Sequence, residues 1–312
     1  MNIRWPNGKS FAFSVFDDTD LAVPGNFEKV YACLGESGLQ TTKSVWPVTA
    51  QGFEARSEAG STCDDSEYLA QVLRLQKSGF EIGYHLSFHT GQKRNEILGG
   101  LDRFKELFGH DPVSMSNHAS SEEGIYWGPA RISMPLRAVY RTLMRRPWGS
   151  PHSGEQESSP YFWGDLCRDR VRYVRNFVFD EIDTLSANPE MPYHDSRRPY
   201  VNAWFSSTHA PEINTCLRAL SEPRQDLLEA SGGACILYTH FGAGFQQDGS
   251  LNTRFKELIE RLSRKNGWFV PVGTMLDYVA AQRGGVQSLD NAARRRLEWK
   301  WFKHKISVGG TS

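Results

Sequence analysis

The sequence lacks an excess of charge of either sign, since 36 basic residues balance 36 acidic ones in a chain of 312. Domains that bind nucleic acid are usually strongly basic, so a nucleic-acid partner is not expected. No apolar run approaches the roughly 20 residues that a transmembrane helix requires. The N-terminal residues also lack a basic region followed by an apolar stretch and a small-residue cleavage site. We therefore expect a cytoplasmic protein without a transmembrane segment.

Cysteines are few, and their spacing does not suggest pairing. The sequence has five cysteines, an odd number, and no two of them form a C-x-x-C motif. A framework of disulfides or a cysteine-based metal site is therefore not expected. The cysteine content fits a reducing compartment better than an oxidising one.

Short strand-like runs alternate with stretches of helical periodicity in both end regions of the chain. Strands are predicted at residues 11–16, 41–45, 80–84, 113–116, 234–239 and 268–272. Most of these runs are nearly continuous in apolar residues, which is typical of strands that are buried on both faces. Strands that alternate with helices in this way form a parallel sheet with helical crossovers.

The middle of the chain follows a looser pattern. Residues 121–223 are rich in Trp, Tyr, Pro and Arg, with strand candidates at 171–179 and 201–205. We interpret this stretch as the later strands of the same barrel with long loop insertions, which usually shape the mouth of an active site. The predicted organisation is a single barrel domain over residues 1–285 and a basic helical tail over 286–312. We interpret the tail as a solvated surface helix.

Acidic residues and histidines stand directly after three of the predicted strands. Asp17 and Asp18 follow the first strand, His85 and His89 follow the third, and His240 follows residues 234–239. In a parallel barrel these positions share the rim at which catalysis occurs. One carboxylate with two imidazoles suits Zn²⁺ or a similar divalent metal, and a second carboxylate can take a proton from bound water. The pattern indicates metal-assisted hydrolysis; buried polar packing is the alternative.

Three segments resemble the motifs of the polysaccharide deacetylases, the NodB-type enzymes of carbohydrate esterase family 4. Phe-Asp-Asp at residues 16–18 resembles the first motif, and His-x-x-x-His at 85–89 resembles the second. An apolar strand that ends in a histidine, at 236–240, resembles the last motif. The order and rough spacing agree over about residues 11–272. The resemblance implies a distorted (β/α)₇ barrel.

The resemblance also implies a role for each matched residue. Asp17 would be the general base, and Asp18, His85 and His89 would hold one divalent metal, zinc first, with cobalt or nickel as alternatives. His240 would be the general acid, because an amine leaves poorly until it is protonated and imidazole titrates near neutral pH.

The implied activity is a metal-dependent deacylase that removes an acetyl or formyl group from an amino sugar in O-antigen or other surface-polysaccharide synthesis. Its carbohydrate substrate would be nucleotide-linked or lipid-linked. Two alternatives remain open on the same barrel. One is a hydrolase of a non-sugar amide or ester, and the other is a non-catalytic carbohydrate-binding or assembly protein.

Two segments depart from the family pattern. Where the third motif usually has Arg and Pro, the chain has Asn117 and His118, which are candidate substrate or accessory residues, with a packed histidine as the alternative. Asp180 begins an Asp-x-x-Asp spacing that matches the fourth motif, but Thr184 stands where a Trp is expected. Asp180 is therefore a candidate partner of His240 or a helix-capping acid. We interpret Asp20 as a turn residue.

Basic and aromatic residues of the middle segment are candidate contacts to a phosphate or a sugar. The basic stretch comprises Arg131, Arg137, Arg141, Arg145 and Arg146, and Arg197-Arg198 forms a second group. Arginines bind phosphate in a bidentate manner. The alternative is that these arginines lie on the surface and that the tryptophans nearby anchor loops.

Overall fold

Seven parallel strands close into a barrel within residues 3–143 and 152–308, the parts of the chain that this computed structural model describes. The strands are β1 Phe11–Asp17, β2 Thr42–Val45, β3 Glu81–Tyr84, β4 Ser114–Met115, β5 Tyr173–Phe179, β6 Ala203–His209 and β7 Ala234–Thr239. Their order around the barrel follows the chain, and β7 pairs with both β6 and β1, which closes the ring. The predicted (β/α)₇ barrel is confirmed.

Helices connect the strands and surround the barrel. They are α1 Glu28–Glu36, α2 Ser66–Lys77, α3 Arg94–Phe108, α4 Leu136–Leu143, α5 Gly164–Arg170, α6 Thr184–Ala187, α7 Ile213–Ala219, α8 Glu222–Ser231, α9 Thr253–Ser263, α10 Val272–Gln282 and α11 Asn291–Val308. Some helix ends follow directly from the sequence. The side chain of Asp65 accepts hydrogen bonds from the first turn of α2, and Gly109 ends α3 with a φ of 82°.

Short elements complete the structure. A strand at Gly267–Phe269, β8, pairs with the first three residues of β1. It ends before the predicted limit because α10 begins at Val272, whose backbone N–H donates to Thr42. Two-residue strands lie at Arg56–Ser57, Gly60–Ser61, Tyr193–His194, Gln246–Gln247, Ser250–Leu251 and Gln287–Ser288, and 3₁₀ turns at Pro6–Gly8 and Gly128–Arg131.

The C-terminal helix packs on the barrel, so the expectation of a solvated surface helix is wrong. Trp301 is buried, and its ring lies 5.5 Å from that of Phe177 in β5. Ala293 and Leu297 are buried on the same face. These three positions recur at every fourth residue, which forms one apolar stripe of a helix. The many basic residues between them hide this stripe in the composition.

The arrangement of the barrel brings several chain segments to one rim. Because the seven strands are parallel, the residues that follow β1, β3, β4 and β7 meet at their carboxyl ends. Within residues 3–143 and 152–308, no helix has the length and apolar character needed to cross a membrane.

Candidate metal centre and active-site cavity

A cavity of about 840 Å³ lies at this rim. Its lining includes Asp18, Asp20, His85, His118, Arg175 and His240, which come from five different strands or the segments that follow them. The volume falls within the range of roughly 300–1,000 Å³ that is usual for small-molecule sites. The cavity is therefore large enough for one sugar ring with its substituents.

Asp20 lies at the centre of the polar cluster in this cavity. Its Oδ1 is 2.8 Å from Nε2 of His118, and its Oδ2 is 2.9 Å from Nε2 of His85. Nε2 of His240 lies 3.6 Å from the same Oδ2. Asp20 occupies a turn, as predicted, but this turn also places its carboxylate between three imidazoles.

The hydrogen bonds behind His85 determine which of its ring nitrogens carries the proton. The hydroxyl of Ser116 donates to Oδ1 of Asp18 at 2.8 Å, so it can only accept from Nδ1 of His85, at 2.7 Å. The carbonyl of Ser116 lies 3.2 Å from the same Nδ1 and is also an acceptor. Nδ1 therefore carries the hydrogen, and Nε2 of the neutral ring directs its lone pair towards Asp20.

A backbone carbonyl determines which ring nitrogen of His240 carries the hydrogen. Its Nδ1 lies 2.8 Å from the carbonyl oxygen of Pro211, which can only accept. Nε2 of the neutral ring is thus the acceptor that faces the cavity, 3.3 Å from the hydroxyl of Tyr238. The partner that orients His240 is this carbonyl, and the candidate partner Asp180 lies elsewhere.

Lone pairs of imidazole nitrogen and carboxylate oxygen repel each other at 2.9 Å unless a proton or a metal cation lies between them. Burial opposes a charged His85, but the carboxylates of Asp18 and Asp20 raise its pKa above the usual value. Burial likewise opposes ionisation of Asp20, yet His85 and His118 hold its pKa well below the usual value. The cluster therefore attracts positive charge strongly.

The donor set of this cluster fits a divalent metal. One ligand atom from each of Asp20, His85 and His118 lies within 4.8 Å of the other two. Two imidazoles with one carboxylate form a set that zinc, cobalt or nickel accepts. The fixed Nδ1–H of His85 is the outer hydrogen bond that commonly orients a metal-binding histidine.

Asp18 also faces the cavity, but Arg175 occupies both of its oxygens. The Nη1 and Nη2 atoms of Arg175 donate to Oδ1 and Oδ2 of Asp18 at 2.9 and 2.5 Å. Both side chains are buried. Burial raises the pKa of Asp18, but the neighbouring guanidinium outweighs it, and the pKa is lowered. Asp18 is therefore an ionised carboxylate beside the cluster and does not belong to the Asp20, His85 and His118 group.

The structure does not bring Asp17 or His89 into this group. Asp17 is fully buried behind the cavity, where it contacts Lys43. His89 lines a neighbouring cavity of about 440 Å³, which shares Asp20 and His118 with the first. A spacing of four residues would place His85 and His89 on one face of a helix, but the residues between them are not helical, and Leu86 has a φ of 66°. The two rings therefore point to different places.

The remaining predicted residues have different surroundings. His118 belongs to the cluster through Asp20. Asn117 is buried, and its amide accepts from and donates to the backbone of Ile125, which fixes the following loop. Asp180 is exposed and pairs with Arg224, away from the cavity.

Sequence reasoning missed three residues of the site: Asp20, Ser116 and Arg175. Asp20 is the last acid of an Asp-Asp-x-Asp sequence at the rim, which was a usable signal. Arg175 interrupts the apolar run of β5, and a charged residue within a strand buried on both faces requires a partner. Nothing in the sequence distinguishes Ser116 from other serines.

Two of the candidate arginines in the middle segment, Arg131 and Arg198, are already held by contacts within the protein. Arg131 is buried with its guanidinium 3.2 Å from the centre of the Trp127 ring. Arg198 is buried and pairs with Asp195 and Glu298. Arg145 and Arg146 lie outside the described residues.

Solved structures share this fold at low sequence identity. A candidate polysaccharide deacetylase from Mycobacterium smegmatis is 13% identical, with a TM-score of 0.54 over 93% of this chain and 97% of that one. A Puue allantoinase is 11% identical, with a TM-score of 0.52 over 90% of this chain and 94% of that one. No family model and no curated protein matches the chain. The resemblance to the polysaccharide deacetylases is thus confirmed at the level of the fold, a closed (β/α)₇ barrel.

Proposed function

We propose that this protein is a metal-dependent hydrolase that removes an N-acyl group, acetyl or formyl, from an amino sugar. The observation that carries the proposal is the convergence of imidazole Nε2 atoms from His85, His118 and His240 on the carboxylate of Asp20. This cluster lines a cavity of about 840 Å³ that also presents the carboxylate of Asp18. Such a set provides metal ligands, a base and an acid in one place.

Zinc is the metal that we propose, with cobalt or nickel as alternatives, and Asp20, His85 and His118 would hold it. A bound ion of this kind supplies a polarised carbonyl and a water whose pKa is near 7. This assignment replaces Asp18 and His89 of the sequence-based set, because Arg175 occupies Asp18 and His89 lies in the neighbouring cavity.

Asp18 is the carboxylate that we propose as the general base. Arg175 keeps it ionised. Its Oδ1 accepts from both Arg175 and Ser116, whereas its Oδ2 accepts from Arg175 and retains a second lone pair for a proton. Ligand atoms of Asp18, Asp20 and His240 lie within 4.8 Å of one another, so a proton accepted at Asp18 stays inside the cluster. The proposed base, Asp18, and the proposed acid, His240, both face the larger cavity.

His240 is the residue that we propose as the general acid. The Pro211 carbonyl holds its Nδ1–H, which leaves Nε2 as the atom that binds and delivers a proton at the cavity. Tyr238 places its hydroxyl 3.3 Å from this nitrogen and limits rotation of the ring. An amine leaving group requires such a proton, because expulsion of an amide anion is prohibitive.

The described residues that line the cavity suit a neutral sugar better than a phosphate-bearing group. Among the described lining residues of both cavities, Arg175 is the one Lys or Arg side chain, and Asp18 already holds it. Trp127 and Tyr238 supply apolar ring surface, and several hydroxyl, amide and carboxylate groups supply hydrogen-bond partners. This composition is typical of sites for uncharged polar ligands. A nucleotide or lipid linkage and a role in O-antigen synthesis stay predictions.

The test is release of acetate or formate from a panel of N-acylated amino sugars by the zinc-loaded protein, beside a non-sugar amide and a matched ester. We expect release from at least one sugar and a loss of about 10²-fold or more in Asp18→Asn. His240→Ala should reduce amide turnover more than ester turnover, because an alkoxide needs less protonation to leave. Absence of hydrolysis across the loaded panel would favour the non-catalytic carbohydrate-binding alternative.

A further inference from the structure

We propose that Asp17 is a positioning residue that holds the backbone of His240 in place, and that it is not the general base. The catalytic side of this inference rests on the proposed function, in which His240 is the general acid. Its structural basis is the set of contacts that surrounds the Asp17 carboxylate, and these contacts can be tested without turnover.

Three groups occupy the carboxylate of Asp17. Its Oδ1 accepts the backbone N–H of Phe241 at 2.7 Å. Its Oδ2 accepts the hydroxyl of Tyr31 at 2.8 Å and lies 3.1 Å from Nζ of Lys43. Asp17 and Lys43 are both fully buried.

This environment does not suit a base that must reach substrate water. Asp17 is absent from the lining of both cavities, whereas its neighbour Asp18 lines the larger one. Successive residues of a strand point to opposite sides, which explains why only one of the two acids can face the cavity. A general base must lie within hydrogen-bond reach of the proton that it removes, directly or through one water.

The contacts of Asp17 lead instead to His240. The residue that donates to Oδ1, Phe241, follows His240 directly in the chain. On the other side, the backbone N–H and Nδ1 of His240 both approach the carbonyl of Pro211, at 3.1 and 2.8 Å. The peptide that carries His240 is thus held from two directions, by Asp17 and by Pro211.

Tyr31 reinforces the same arrangement. Its hydroxyl donates to Asp17, and its ring packs edge-to-face on the buried ring of Phe241 at 5.4 Å. The carboxylate therefore fixes the backbone of Phe241 while Tyr31 fixes its side chain. A buried ion pair such as Asp17–Lys43 adds little net stability compared with apolar packing, so a role in fixing geometry accounts for it better.

Two matched double variants separate a positioning role from a base. Asp17→Asn/Lys43→Met removes both charges but keeps an oxygen that can accept from Phe241. Asp17→Leu/Lys43→Met has the same charge and nearly the same volume but has no acceptor. A positioning role predicts that the Asn version keeps amide turnover within about tenfold, whereas the Leu version loses about 10²-fold, the scale expected from a small displacement of a catalytic group.

Two further readouts make the test specific to His240. The Leu version should lose more amide than ester turnover, as we expect for His240→Ala, and adding His240→Ala to it should cause little further loss. In ¹⁵N-histidine NMR, with the signal assigned through His240→Gln, the Nδ1–H resonance should persist in the Asn version and shift or broaden in the Leu version. Tyr31→Phe, which leaves the Phe241 contact in place, is the control and should retain the resonance.

The opposite results would overturn the proposal. A loss of 10²-fold or more on both amides and esters in the Asn version, with the His240 resonance unchanged, would identify Asp17 as the base. An unchanged resonance and unchanged amide turnover in the Leu version would exclude a positioning role. If the Leu version does not fold, the Asn version alone still separates base from positioning residue. If the wild-type protein hydrolyses nothing, the NMR comparison still decides this inference while the proposed function fails.

Discussion

Replacement of Arg175 by Met tests the buried pair that keeps Asp18 ionised beside the cavity. Arg175 makes two hydrogen bonds to Asp18, at 2.9 and 2.5 Å, and both side chains are at most 3% exposed. Methionine fills much of the space of the arginine stem but leaves the carboxylate without its cation. Removal of one partner of a buried pair destabilises a protein by about 3–5 kcal/mol, because the remaining charge stays buried.

The expected change in melting temperature follows from the size of the chain. For 312 residues the entropy of unfolding is about 0.66 kcal/mol per degree, at roughly 2.1 cal/mol/K per residue. A loss of about 3–5 kcal/mol therefore corresponds to about 5–8 °C. The double variant Arg175→Met with Asp18→Asn should lose less stability than the single variant, because it leaves no unpaired charge.

The pH dependence gives the sign of the effect. In the wild-type protein burial raises the pKa of Asp18, but Arg175 lowers it below 3.8, so the stabilisation is present above that pH and is lost as the pH falls further. In the variant only burial and the weaker contacts remain, so the pKa of Asp18 should rise. Its destabilisation should be largest near pH 7 and should shrink towards pH 4, as the folded state takes up a proton.

Urea unfolding of the chelator-treated proteins at pH 7, 5.5 and 4 measures these differences. We expect a shift of the midpoint that decreases with acidification and is smaller in the double variant. A single variant that loses less than about 1 kcal/mol at pH 7, or one whose loss grows on acidification, would refute the role of Arg175 in holding Asp18 ionised.

Two further variants test other parts of the structure. Trp301→Ala should reduce the free energy of unfolding by about 3–5 kcal/mol, because the ring is buried against Phe177; a loss below about 1 kcal/mol in urea unfolding would mean that α11 is not docked. Glu123→Gln should stabilise the protein most at pH 9, less at pH 6 and not at pH 4, since burial raises the pKa of Glu123 to about 8 and the folded state resists its ionisation once the pH exceeds the unfolded pKa. Equal denaturation midpoints for wild type and Glu123→Gln at pH 9 would contradict this.

Much of the barrel was predictable because its strands are short and buried on both faces. Residues 11–16 contain a single polar position, and every residue of β1 is buried in the structure. The tail was harder to interpret. Its buried stripe includes Trp301, but basic residues dominate the composition around it, so a count of charges predicts solvent exposure where periodicity indicates packing.

The position of the site at the rim of the barrel was predictable from sequence, but the identity of its metal ligands was not. Parallel strands bring His85 and His240 to one rim independently of the loop conformations, so sequence analysis could place both residues there. The presence of His118 rather than His89 in the cluster depends on the irregular backbone after β3, where Leu86 is left-handed and bends follow it. Such a backbone conformation is uncommon for a non-glycine residue, and no sequence pattern indicates it.

The pairing of Asp18 with Arg175 is also beyond sequence reasoning. The two residues are 157 positions apart and meet across the barrel interior. Because alternation along a strand allows either Asp17 or Asp18 to face the cavity, only the register of β1 determines which one does.

The measurement that tests the central claim most directly is the metal content of the purified protein and of two variants, by elemental analysis after incubation with zinc. We predict about one zinc ion per chain in the wild type and in His89→Gln, and loss of the metal in Asp20→Asn. Absence of metal from the wild type, even with zinc, cobalt or nickel added, would contradict the account. Loss of metal from His89→Gln with retention in Asp20→Asn would contradict the ligand set.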